Sequence, residues 1–321
     1  MKRPKVIVTE PVDSSGLGKL AEATNLHYLP DTPNVTLEDV IPDASALGVR
    51  LVRITPELMD MAPELKVVAK HGVGVDNIDV TAATSRGIVV VYTPNANAVS
   101  VAEHVVSLML SLANRICAAN SDLRGGVFRT REDYVGVELL GKTMGIVGLG
   151  RIGREAARIC RAGFGMKAIA YDPLLSAEAI ESASCKPAAT LTGLLAQSDF
   201  VALCVPLNDK TRGLIGVREL ASMKSTAYLI NTARGGLVDE EALYRALKNG
   251  VLAGAALDAS AEEPPPFDHP LLSLDNFVAT PHVGGATREA MRRMSTDLAE
   301  DILRVLRGER AHCPVNPEVY T

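Results

Sequence analysis

The sequence predicts an α/β protein of two domains, each built on a parallel, doubly wound sheet. Three observations carry this reading. Short apolar runs alternate with helical patterns along the whole chain, as strands joined by crossover helices do. The chain has 321 residues, about two domains at a typical size of roughly 150 residues each. Hydrophobic residues make up 47%, aromatics only 4%, and Trp is absent. The core therefore rests on Val, Leu, Ile and Ala, the composition of strands buried on both faces.

Taken in order, Lys5–Thr9 (KVIVT) reads as a strand behind a basic tip of Lys2, Arg3 and Lys5, and Ser14–Ala23 as the helix after it. Ala46–Val49, Lys66–Ala69 and Ile88–Val91 are further short strands. Val99–Ala119 reads as one long apolar helix, polar at Glu103, His104, Ser107 and Ser111, and Asp122–Val137 as a loop rich in charge and Gly. Thr143–Val147 is a strand, followed by a Gly-rich turn and a helix to Phe164. Lys167–Tyr171, Phe200–Val205, Ala227–Asn231, Gly254–Asp258 and Asn276–Ala279 are five more strands. Between them Asp239–Asn249 is the clearest helix: Asp239 is a fitting N-cap and Gly250 lies just past the end. Glu262–Pro270 is a Pro-rich loop, and Thr287–Leu306 is a closing amphipathic helix. That helix is expected to return to the first domain. The predicted division is 1–98 with 286–321, and 99–285 between them.

Composition narrows the function. A formal charge of −5 argues against a strongly basic nucleic-acid footprint. No stretch approaches the roughly 20 apolar residues of a membrane span, and the N-terminus lacks the apolar run and cleavage site of a signal peptide. The cysteines are Cys117, Cys160, Cys185, Cys204 and Cys313, an odd number with no C-x-x-C pair. They read as reduced thiols in the cytoplasm, with neither a disulfide framework nor a metal site.

Five loops carry candidate chemistry. Gly148-Leu149-Gly150-Arg151-Ile152-Gly153 follows a strand and opens a helix, the context a dinucleotide loop requires. The glycines permit a tight turn, close approach of a diphosphate, and helix–strand packing. The helix N-terminus then offers N–H groups to phosphate. Asp172, 22 residues after Gly150 at the end of the next strand, is placed to bind the ribose hydroxyls and repel a 2′-phosphate, which favours NAD. Asn231-Thr232-Ala233-Arg234-Gly235-Gly236 ends another strand; an Arg there can clamp a carboxylate, though alone it equally reads as a surface Arg. Glu262-Glu263-Pro264 alone reads as a solvated acidic loop. In Thr280-Pro281-His282-Val283-Gly284-Gly285 a His is fixed yet reachable, the natural proton donor near neutral pH. Lys70-His71-Gly72-Val73-Gly74-Val75-Asp76-Asn77 can aim backbone N–H groups at an anion. Lys70, His71, Arg50 and Arg53 make either a cationic pocket or four unrelated surface charges.

GLGRIG, NTARGG, Glu263-Pro264 and TPHVGG, in this order, resemble the D-isomer-specific 2-hydroxyacid dehydrogenases. KHGVGVDNID, TPNANAVSVAEH and LRGGVF…LLGKTMGIVGLGRIGREAA are most similar to the D-3-phosphoglycerate dehydrogenases among them, in a short form without a C-terminal regulatory domain. The resemblance runs from Val6 to Arg307. It implies a Rossmann-type NAD-binding domain inserted into a flavodoxin-like substrate domain, with catalysis in the cleft between them. His282 would be the general acid in keto-acid reduction, and Glu263 would pair with it and favour its protonated form. Arg234 would hold the substrate carboxylate and polarise the carbonyl. The cofactor would be held by Gly148, Gly150, Arg151, Ile152, Gly153, Asp172, Val205, Pro206, Thr211, Thr232, Ala233, Asp258, His282 and Gly284, with Asp258 on the nicotinamide carboxamide. Val73 and Gly74 would bind the substrate carboxylate through their N–H groups, and Arg50 and Asn97 the rest of the substrate. The helix from Val99 would build a homodimer interface.

The expected function is therefore hydride transfer between NAD and a small anionic D-2-hydroxy acid, with 3-phosphoglycerate the leading substrate and hydroxypyruvate or glyoxylate the alternatives. A rival is an NAD(H)-sensing, corepressor-like binding protein on the same fold. Turnover separates the two.

Overall fold

The computed structural model describes residues 3–321; Met1 and Lys2 of the predicted basic tip lie outside the described residues. The chain divides into two compact units, 1–97 with 285–321, and 98–284. Each boundary falls one residue before the predicted one.

The first unit contains β1 (Lys5–Val8), α1 (Ser14–Ala23), β2 (Asn25–Tyr28), α2 (Leu37–Val40), β3 (Ala46–Val49), α3 (Pro56–Asp60), β4 (Val67–Lys70), α4 (Val80–Ser85), β5 (Val89–Val91) and the closing helix α12 (Arg288–Leu306). Its strands are all parallel, in the order β2-β1-β3-β4-β5. Alternate residues serve opposite faces. Ile7, Leu47, Val49, Val68 and Val90 enter one core. Val6, Val8, Ala46, Val67, Ala69 and Val89 enter the other, which Leu298, Ala299 and Ile302 of α12 complete. This two-sided burial is why the strands read as unbroken apolar runs. The edge strand β2 was not expected: its sequence, NLHY, is mostly polar and only partly buried, so no apolar run marks it.

The second unit contains α5 (Ala98–Ala113), α6 (Ile116–Arg124), β6 (Thr143–Val147), α7 (Arg151–Phe164), β7 (Lys167–Tyr171), α8 (Ala177–Ser182), β8 (Lys186–Pro187), α9 (Leu191–Gln197), β9 (Phe200–Leu203), α10 (Val217–Ser222), β10 (Tyr228–Asn231), α11 (Glu240–Lys248), β11 (Gly254–Leu257) and β12 (Phe277–Ala279). The seven strands are parallel, in the order β12-β11-β10-β9-β6-β7-β8. The order reverses beside β6, whose neighbours are β7 and β9. Such a switch point opens a crevice at the carboxyl ends of the strands, where ligands bind in open α/β sheets.

One predicted helix is two. The run expected as Val99–Ala119 breaks after Ala113, Arg115 takes φ 53°, and α6 departs at 64°. The cause is burial. Val101, Val105, Met109 and Leu112 lie in the core, whereas α6 has no buried residue and nothing to hold it on the same axis. The expected loop Asp122–Val137 is also more structured: α6 runs to Arg124, and Arg131–Tyr134 forms a 3-10 turn. No single helix among the described residues is long and apolar enough to cross a membrane.

Candidate active site

The glycine loop after β6 is shaped by close approach. Gly148 has φ +92°, and a Cβ there would lie 2.5 Å from Val205 Cγ1. A Cβ on Gly153 would meet the Gly148 carbonyl oxygen at 2.2 Å, so α7 seats directly on the turn. Gly150 faces open space. It is the N-cap of α7 and brings no capping side chain, which leaves the first-turn N–H groups, Arg151, Ile152 and Gly153 among them, open to an anion. A dinucleotide diphosphate fits this cradle. Asp172 braces it: Oδ2 accepts from Leu149 N at 2.9 Å and Oδ1 from Leu174 N at 3.0 Å. The carboxylate is half-buried beside the loop, as a ribose ligand would be. Thr211 Oγ1 donates to the Pro206 carbonyl at 2.6 Å and accepts from Asn208 N at 2.8 Å, which fixes the loop after Val205.

The Arg234 loop is organised by a residue the sequence did not single out for a role. Asn231, wholly buried, donates from Nδ2 to the Arg234 carbonyl at 2.7 Å and accepts from Ala233 N at 3.0 Å. Thr232 is buried between them. A Cβ on Gly235 would lie 1.9 Å from the Ser260 carbonyl carbon, so this loop packs backbone to backbone against the chain after β11. Arg234 Nη1 donates to the Ala233 carbonyl at 2.7 Å. The guanidinium is thus held near its own turn and remains half-exposed.

His282 and Glu263 come together. His282 Nδ1 lies 2.9 Å from Glu263 Oε2 and 3.1 Å from Oε1, and both side chains are 39% exposed. His282 has φ 53°, a left-handed conformation that only a surrounding structure maintains in such a residue. Its N–H donates to the Asp258 and Thr280 carbonyls at 2.8 and 3.0 Å. Asp258 is almost wholly buried and accepts from the Thr280 hydroxyl at 2.6 Å, Val283 N at 2.9 Å and Gly284 N at 2.8 Å, with His104 Nε2 at 3.3 Å. Burial alone would raise the Asp258 carboxyl above its ordinary range. The hydrogen bonds from His104, Thr280, Val283 and Gly284 outweigh it and hold the group down at about 2.

The first unit shows a different balance. Among the described residues, the Val73 and Gly74 N–H groups have no acceptor, as an anion site requires. Of the four residues read as either a cationic pocket or unrelated surface charges, two have other roles. Lys70 Nζ donates to the Arg50 carbonyl at 2.5 Å and also to Asn77 Oδ1, so it braces the loop. His71 is buried with neither ring nitrogen hydrogen-bonded, and burial together with the Arg50 charge lowers its pKa to about 4. It is neutral at physiological pH. The Arg50 and Val52 N–H groups are occupied by Glu10, at 2.5 and 2.8 Å. Glu10 was invisible as a loop ligand because it lies 40 residues upstream. Arg50 is half-buried, Arg53 is exposed, and the Asn97 side-chain oxygen is buried without a partner.

A glycine loop at a switch point, a carboxylate at the next strand end and a His–Glu pair lie together in the second unit, the layout of a dinucleotide-binding domain. The chain belongs to the D-isomer specific 2-hydroxyacid dehydrogenases: residues 106–284 match that family's NAD binding domain. It is 44% identical over 313 residues to a D-3-phosphoglycerate dehydrogenase of Methanocaldococcus jannaschii, covering 97% of this chain but 59% of that protein. It is 42% identical over 327 residues to a glyoxylate reductase of Thermofilum pendens, covering 99% of this chain and 96% of that one. Among solved structures it is similar to an NADPH-dependent glyoxylate/hydroxypyruvate reductase from Sinorhizobium meliloti in complex with NADP and malonate. The TM-score is 0.85 and the identity 30%, with 98% of each chain covered.

Proposed function

We propose that this chain is an NAD-dependent oxidoreductase interconverting a small anionic D-2-hydroxy acid and its 2-keto acid. The observation that carries the reading is the pairing of an exposed, conformationally held His282 with Glu263. The Nδ1–H of His282 donates to the Glu263 carboxylate, which leaves Nε2 to give a proton to the carbonyl oxygen in reduction and to take it in oxidation. Nicotinamide, when bound, supplies or accepts the hydride exchanged at C2. Arg234 holds the substrate carboxylate and polarises the carbonyl. The Gly148–Gly153 turn and the start of α7 hold the diphosphate. Asp172 takes the ribose hydroxyls and repels a 2′-phosphate, which favours NAD over NADP. Asp258 Oδ2 has one donor, Gly284 N, and keeps a lone pair for the nicotinamide carboxamide. The open N–H groups of Val73 and Gly74 suit a carboxylate.

Two substrate readings rest on different observations. The 44% identity to a D-3-phosphoglycerate dehydrogenase supports a phosphorylated acid. The chemistry around Arg50 favours hydroxypyruvate or glyoxylate: Glu10 takes the loop N–H groups, Lys70 is tied down and His71 is neutral. NADH oxidation with 3-phosphohydroxypyruvate, hydroxypyruvate, glyoxylate and pyruvate tests both. The best kcat/KM names the class. NADH binding without turnover on any of them would move the NAD(H)-sensing reading ahead.

Two further readings belong to this proposal. A homodimer is supported by the apolar side chains exposed on and after α6, among them Leu123, Phe128 and Val135. A cytoplasmic location is supported by five cysteines without a disulfide.

A further inference from the structure

Of the four polar residues noted on α5, Glu103 and Ser107 are exposed, and His104 turns onto the carboxyl end of the sheet, 19% exposed. Its Nε2 lies 3.0 Å from Thr280 Oγ1 and 3.3 Å from Asp258 Oδ1. Hydrogen counting fixes the roles. The Thr280 hydroxyl has one proton, which it donates to Asp258 Oδ1 at 2.6 Å. His104 must therefore be the donor to the Thr280 oxygen, and the same N–H leans on Asp258. These acceptors also carry the proton-donor loop. Asp258 takes the N–H groups of Val283 and Gly284, on the carboxyl side of His282, while its carbonyl takes the His282 N–H. The loop is pressed against the ring as well: a Cβ on Gly284 would lie 3.3 Å from His104 Cδ2.

We infer that His104 is a positioning residue for proton transfer, acting through Thr280 and Asp258 to hold His282 in its left-handed conformation, where Nδ1 meets Glu263. A non-glycine residue at φ 53° relaxes toward extended or helical backbone unless its neighbours over-determine it. His104 supplies this network with a side-chain donor from α5. Without it Asp258 keeps the N–H groups of Val283 and Gly284, but Thr280 Oγ1 loses its donor from α5 and the His282 turn loses its tie to that helix. The inference rests on His282 being the acid–base group.

The test uses the full chain and its best keto acid. His104→Leu removes the donor, and His104→Gln keeps an N–H at the end of a side chain of similar reach. The leucine variant is expected to lose about tenfold or more in kcat, the scale of a misaligned reacting group. Its KM and its NADH affinity by calorimetry should stay within about twofold of wild type. His104→Gln should recover most of the loss. Thr280→Val, which removes the shared hydroxyl, should lose a similar factor, and the double variant with His104→Leu should lose little more. Unchanged kcat in His104→Leu, failure of the glutamine rescue, or losses that multiply in the double variant would each overturn the inference. If His282→Ala keeps turnover, the proposed function itself fails. If His282→Ala is inactive while His104→Leu is unaffected, the assignment of His104 alone fails.

Discussion

His282 shows how a sequence feature becomes a chemical one. As a letter between Pro281 and Val283 it is one of six histidines. In the fold its left-handed backbone and its bond to Glu263 make it an oriented imidazole with one nitrogen committed and one available. Glu263→Gln keeps the shape and loses the charge and the acceptor symmetry. It is expected to lower kcat about tenfold or more with NADH binding unchanged, checked by steady-state rates beside calorimetry. Asp258 gives a prediction for stability. Its carboxyl is held at about 2, against an ordinary 3.8. The stabilisation is present in full above about pH 4 and is lost as the pH falls through 2, on the order of 2 kcal/mol. Denaturant unfolding of Asp258→Asn should therefore show a deficit at pH 7 that shrinks steadily below pH 4; a deficit independent of pH would contradict the assignment. His282 was marked in the sequence by its Pro- and Gly-flanked loop after a strand, whereas Arg234 and Glu263 took their expected roles only from the resemblance to the family. Asn231, Thr280, His104 and Glu10 were not legible in their roles, because those roles depend on which strand ends the sheet order brings together.

At the scale of elements, the turn from β6 into α7 was the most legible part, since each glycine answers a separate steric demand. Gly148→Ala meets two obstacles at once, a positive φ and a Cβ 2.5 Å from Val205. It is expected to weaken NADH binding about tenfold or more while the fold persists, measured by calorimetry and thermal unfolding. Asp172→Ala should narrow the preference for NADH over NADPH, and an unchanged ratio of the two affinities would remove Asp172 from the ribose. The central strands were read within a residue or two because burial on both faces writes them as apolar runs. The edge strand β2 and the two-residue β8 were missed because edges carry polar residues and little burial. The α5–α6 break was missed for a related reason. Ile116, Cys117 and Ala118–Ala119 continue an apolar composition, and composition alone does not reveal where the core that holds a helix ends.

For the whole molecule, alternating strand and helix patterns were enough to predict two parallel sheets and a closing helix that returns to the first unit. The sheet orders themselves, with the crevice beside β6, emerged only in the structure. The apolar side chains left exposed by α6 and the segment after it are the part of the surface with the plainest consequence. Phe128 is 92% exposed and Leu123 65%. Leu123→Asp with Phe128→Asp should shift sedimentation from dimer to monomer, whereas wild type sedimenting as a monomer would refute the dimer directly. On the proposed function, hydride exchange with NAD depends on the proton held at His282. The most direct measurement compares wild type and His282→Ala for NADH-dependent reduction of the best 2-keto acid, with NADH affinity measured on the same preparations. Turnover is expected to fall about a hundredfold or more in the variant with NADH affinity retained; near-normal turnover would remove His282 from proton transfer.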